Sequence, residues 1–81
     1  MTVLFGEGVS EVFAGLPRDL QRRAADSIEL ISAFPRMYPV RRRGLMRGYR
    51  YLVLGRFLLY YSVAATEIRI AAIIPAAMRR A

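Results

Sequence analysis

With 81 residues, the chain has room for one domain, near the lower limit of what a single core supports without staples. A hydrophobic fraction of 56% excludes a disordered tail, and the absence of cysteine excludes a disulfide framework and thiolate metal sites, with the cytoplasm as the default compartment. Net charge is +7 with every basic residue an arginine, and the absence of histidine removes the usual general base near neutral pH and the commonest metal ligand. No cofactor or metal is assigned. The guanidinium fork pairs bidentately with phosphate or carboxylate, so the arginine excess either meets an acidic partner, nucleic acid or protein, or serves solubility alone. No basic segment followed by an apolar core opens the chain, so no secretory signal is expected. The longest uncharged run after the hairpin turn, 57–66, is about half of the roughly 20 residues a spanning helix needs, and no membrane partner is expected.

Taken in order, Thr2–Phe5 is a short apolar run that stops at Gly6-Glu7-Gly8, the pattern of an edge strand. Ser10 and Glu11 open a brief helix whose apolar side is Val9, Val12, Phe13 and Leu16, before Gly15 and Pro17 interrupt. Pro17 suits the first turn of a second helix, 17–33, because its missing amide hydrogen has no partner there anyway. Leu20, Ala24, Ile28 and Ile31 recur at helical spacing as a buried stripe. On the solvent side, Arg22 with Asp26 and Asp19 with Arg23 stand four residues apart, the spacing of helical ion pairs. Phe34-Pro35 ends the helix. Residues 36–47 read as a loop with the densest positive charge in the chain. Its Arg41, Arg42, Arg43 and Arg47 are candidate contacts to phosphate or an acidic partner, an attraction that works through counterion release without reading sequence.

The chain is organised around residues 48–63, two runs rich in Tyr, Leu, Val and Phe on either side of Gly55-Arg56. Glycine at the first central position is what a type II′ hairpin turn demands. Folding there pairs Leu54 with Phe57, Leu52 with Leu59 and Arg50 with Tyr61 on an aliphatic face. Val53 then pairs with Leu58, Tyr51 with Tyr60 and Tyr49 with Ser62 on a tyrosine-bearing face. With Ala64-Ala65 as the next turn, 66–74 returns as a third strand. Ile68, Ile70 and Ala72 fall on the aliphatic face, Glu67, Arg69 and Ala71 on the other, and Arg69 stands opposite Tyr60. Pro75 stops the pairing and leaves a tail, 76–81, with Arg79 and Arg80. The expected fold class is α+β: an N-terminal strand and a two-helix hairpin packed on the aliphatic face of a C-terminal three-stranded antiparallel meander. Tyr49, Tyr51, Tyr60 and Arg69 are left as candidate partner-binding residues.

Leu-Pro-Arg-Asp-Leu-Gln-Arg-Arg-Ala at 16–24, the Phe34-Pro35 stop with Tyr38-Pro39 after it, and the run 48–63 together resemble the RelE/ParE toxin family of bacterial type II toxin–antitoxin modules. The resemblance covers nearly the whole chain. It implies a helix pair on an antiparallel sheet, a cognate acidic antitoxin that wraps the toxin as a hetero-oligomer, and one of two toxic activities. One branch cleaves messenger RNA on the ribosome; the other poisons DNA gyrase.

Cleavage through the 2′ hydroxyl needs a proton acceptor, positive charge at the phosphate and an acid for the leaving oxygen. By resemblance, Arg50 matches one basic position of the nuclease members. The arginine they carry near the start of the following strand falls on Leu58, with Arg56 nearby, and Pro75-Ala76-Ala77 stands where a histidine or arginine is expected. A nuclease would have to work with Arg50, Arg56 and Arg69 for phosphate charge and Tyr60 as proton carrier. The departures favour non-catalytic, ParE-like inhibition of gyrase, with a ribosome-dependent endonuclease and a non-toxic interaction module as the alternatives. Arg50 also has a purely structural use, its stem packed against Tyr61 and its head paired with a carboxylate.

Overall fold

The computed structural model describes residues 1–76; the Arg79 and Arg80 tail lies outside them. The elements are β1 (Thr2–Phe5), α1 (Val9–Ala14), α2 (Arg18–Ala33), β2 (Arg50–Leu54), β3 (Phe57–Val63) and β4 (Glu67–Pro75). Together they make a small α+β domain in which two helices cover one face of a four-stranded mixed sheet of order β1-β4-β3-β2. Val9, Leu16, Leu20, Ala24 and Ile31 from the helical side meet Leu52, Leu54, Leu59, Tyr61, Ile68, Ile70 and Ile73 of the sheet in one buried cluster. Among the described residues no helix is long and apolar enough to cross a membrane.

The β2–β3 hairpin has the register that the alternation predicts, from Arg50 opposite Tyr61 to Leu54 opposite Phe57. Gly55 has φ of +61°, whereas Arg56 has no positive φ, which is the type II′ pattern. A Cβ on Gly55 would stand 2.8 Å from Leu20 Cδ2, so the glycine also lets α2 approach the hairpin tip.

The β3–β4 pairing differs from expectation at three points. First, the connection is longer than Ala64-Ala65: Val63 faces Ile68, and the Ala64 N–H donates to the Glu67 carbonyl at 2.8 Å. That moves the register by two residues, which leaves every side chain on its expected face. Arg69 therefore stands opposite Ser62 and not Tyr60. Second, Tyr61 faces Ile70 while Tyr60 faces Ala72, so Ala71 is an extra residue in β4. This one-residue bulge reverses the faces beyond it. Ile73, not Ala72, enters the helix-side core at 4% exposure, opposite Leu59. The physical reason is volume, since isoleucine at that position fills the core and alanine would leave a void. Pairing also runs on to Pro75 opposite Phe57, and the Ala76 N–H donates to the Arg56 carbonyl at 2.8 Å.

β1 lies parallel to β4 from Thr2 opposite Glu67 to Phe5 opposite Ile70. At the other end of the sheet, the stretch read as an open loop is partly structured. Val40 bridges Arg50, the Tyr51 N–H donates to the Pro39 carbonyl at 3.1 Å, and the Arg41 N–H donates to the Tyr49 carbonyl at 2.7 Å. Residues 39–41 thus cover the outer edge of β2, which would otherwise be open to pairing with another chain. Tyr49 belongs to this edge contact; the hairpin ladder itself begins at Arg50.

The helices follow the sequence with two corrections. Pro17 is the N-cap, with φ −54° and ψ 149°, and α2 begins one residue later at Arg18, the Pro17 carbonyl accepting the Gln21 N–H at 2.9 Å. The expected Arg22–Asp26 and Asp19–Arg23 pairs do not close: among the described residues, the one ion pair joins Arg69 to Glu67 at 3.4 Å. Exposed pairs gain little against the entropy of holding two long side chains, so water competes successfully. A polar residue on α2 instead serves the helix before it. Gln21 Nε2 donates to the Phe13 and Ala14 carbonyls at 3.1 and 2.8 Å; the first also accepts the Leu16 N–H at 3.2 Å, so the amide reinforces the end of α1.

Candidate functional site

The alternation of β2 and β3 places Arg50 and Tyr61 opposite one another on the helix-side face. There they clamp the chain that leaves α2. Arg50 Nη1 donates to the Tyr38 carbonyl at 2.6 Å and to the Arg36 carbonyl at 3.3 Å, and the Tyr61 hydroxyl donates to the Pro35 carbonyl at 2.8 Å. The carboxylate partner expected for Arg50 is replaced by main-chain oxygens. Burial pushes the Tyr61 phenol above its ordinary value near 10, opposed by the Arg50 charge and by a backbone hydrogen bond at Tyr38. Tyr61 enters the sequence reading only as a surface for the Arg50 stem and Gln21 not at all, although a tyrosine on an aliphatic face is itself a signal, since its hydroxyl must find an acceptor.

On the opposite face, a row crosses the sheet from Arg41 through Tyr51 and Tyr60 to Ala72. The Arg41 guanidinium lies 6.0 Å from the Tyr51 ring centroid, and the Tyr51 and Tyr60 rings are 5.9 Å apart. A second row holds Ser62, Arg69 and Leu4. Tyr51 and Tyr49 are half-buried, and the Arg69 side chain is 55% exposed beside Glu67. Tyr60 is 1% exposed, so it supports this face from beneath and is not available as an anchor. Of the four residues expected to bind a partner, the exposed contact area comes from Tyr49, Tyr51 and Arg69.

The candidate nuclease residues do not converge. Arg50 is on the helix-side face, Tyr60 and Arg69 are on the other, and Arg56 sits at the hairpin tip, on the order of 15 Å along the strand from Arg50. Among the described residues, no group of three His, Cys, Asp or Glu side chains is placed to hold a metal ion.

The arginine loop is built on the edge contact. The Gly48 N–H donates to the Arg41 carbonyl at 2.9 Å, the Arg47 N–H to Gly44 at 3.2 Å and the Tyr49 N–H to Met46 at 3.1 Å. Gly44 and Gly48 take φ of +84° and +94°, turns that a Cβ would strain. Arg41 Nε donates to the Arg43 carbonyl at 3.0 Å, while Arg42, Arg43 and Arg47 are exposed. A recess of about 380 Å³ lies between Pro39–Arg43 and Tyr51. Charge is segregated along the chain. Residues 1–35 carry three arginines and five acids, whereas 36–81 carry ten arginines and one acid. The eight arginines and one acid within 36–76 therefore give the β2–β4 sheet and its loop a strongly positive field.

Compared with known proteins, the chain matches no protein-family model and no curated protein.

Proposed function

We propose that the chain is the toxin component of a type II toxin–antitoxin module, RelE/ParE-like in fold and neutralised by a small acidic antitoxin. The observation that supports this best is the division of labour across the sheet. The helices occupy one face, while the other presents Tyr51 and Arg69 beside a loop with four arginines. An acidic, amphipathic segment laid across that face gains aromatic area from Tyr49 and Tyr51, charge pairing at Arg69, and long-range attraction from Arg41, Arg42, Arg43 and Arg47. Release of the segment frees the same face for the cellular target.

Non-catalytic inhibition of DNA gyrase is favoured over cleavage of ribosome-bound messenger RNA. Arg50, the one residue that matches a nuclease position, spends its guanidinium on the Tyr38 and Arg36 carbonyls, and its supposed partners lie on the other face of the sheet. The test is co-purification with a small acidic protein encoded by the adjacent reading frame. Tyr51→Ala combined with Arg69→Glu is expected to weaken that complex at least tenfold, with the circular dichroism spectrum unchanged. Unaltered affinity removes this face from the account.

A further inference from the structure

We propose that the loop from Arg41 to Tyr49 is an interfacial anchor that docks the protein on anionic lipid bilayers. The observation that starts the argument is Leu45. It is 101% exposed at the apex of a loop whose flanks are Arg42-Arg43 on one side and Arg47 on the other. Such a leucine adds nothing to the fold, and it is held out by the Gly44–Arg47 and Met46–Tyr49 hydrogen bonds rather than left on a slack tether. An apolar tip ringed by cations is the chemistry of a surface that is acidic outside and hydrocarbon within. Leu45 enters the boundary between headgroups and acyl chains, and Arg42, Arg43 and Arg47 engage the lipid phosphates, to which the guanidinium fork is matched. Arg41 has a different task, since its Nε holds the Arg43 carbonyl and its guanidinium lies against Tyr51.

A nucleic-acid strand would use the same cations, but it leaves Leu45 without a role. Strand binders also offer aromatic faces on which bases stack. Here the exposed apex, 42–47, carries no aromatic residue and presents Leu45 instead. Docking of this kind needs no spanning helix; it shares Arg42, Arg43 and Arg47 with the proposed antitoxin surface, and Leu45, outside the Tyr51–Arg69 face, is the residue that distinguishes the two readings.

Sedimentation of the full chain with vesicles tests the proposal. Vesicles of phosphatidylcholine alone are expected to leave the protein in solution, and vesicles containing phosphatidylglycerol to carry it down in a salt-sensitive manner. Leu45→Ser should weaken binding about tenfold, Leu45→Phe should retain it, and Arg42→Glu with Arg43→Glu should abolish it. Because Leu45 touches nothing in the fold, its variants should keep the wild-type melting temperature and any antitoxin binding, which separates failure here from failure of the toxin reading. No sedimentation of the wild type with phosphatidylglycerol, or equal binding by Leu45→Ser, overturns the proposal. Preferential binding of a single-stranded oligonucleotide over these vesicles also overturns it and assigns the loop to nucleic acid.

Discussion

Arg50 and Tyr61 tie the exit of α2 to β2 and β3 through three hydrogen bonds to main-chain carbonyls. Replacing Arg50 with Met keeps the stem and removes the donors, and is expected to cost about 1–2 kcal/mol in urea unfolding, because the part-buried Tyr38 carbonyl loses a charged partner. Tyr61→Phe should cost about 1 kcal/mol by the same reasoning. The phenol also carries a pH signature. Its folded-state pKa is raised, so its contribution is fully present below the unfolded value near 10 and is lost as pH rises through the folded one. Stability should therefore fall above about pH 10, and Tyr61→Phe should flatten part of that decline in alkaline melts. Gly55→Ala joins two penalties, a left-handed φ of +61° and a 2.8 Å approach to the Leu20 side chain, and is expected to cost about 1–3 kcal/mol. A neutral result would place the turn in another conformation.

At the scale of elements, the bulge at Ala71 decides which residues of β4 face the helices. Ile73→Ala should lose about 2–5 kcal/mol as a cavity opens in the core, and Ile74→Ala, half-buried on the other face, distinctly less. The reverse order in denaturant melts would contradict the bulge. The same element shows what could be read in advance. The β2–β3 register was legible because Gly55-Arg56 admits one turn type and the alternation on both sides agrees with it. The β3–β4 connection has no such marker, for Ala64-Ala65-Thr66 contains neither glycine nor proline, and a two-residue difference in register leaves the faces unchanged. The bulge was hidden by a run, Ala71-Ala72-Ile73-Ile74, in which alternation vanishes. Covering of the β2 edge by 39–41 was equally illegible, since it rests on main-chain groups that no side chain announces. For the candidate site, the sequence placed Tyr51 and Arg69 correctly on one face, but the burial of Tyr60 and the main-chain use of Arg50 depend on packing in three dimensions.

For the whole molecule, the separation of eight arginines and one acid in 36–76 from three arginines and five acids in 1–35 makes the described residues a charged plate on a near-neutral helical backing. On the toxin proposal, association with an acidic antitoxin should be steered, its on-rate falling steeply with ionic strength while the off-rate changes little, as stopped-flow measurements at increasing salt would show. The toxin reading is tested most directly by inducing the chain in a bacterial host while bulk protein synthesis, transcript integrity and the DNA-damage response are followed together. Damage signalling and filamentation with intact transcripts is the predicted result. A rapid fall in translation with cut transcripts, or normal growth at verified expression, would contradict it.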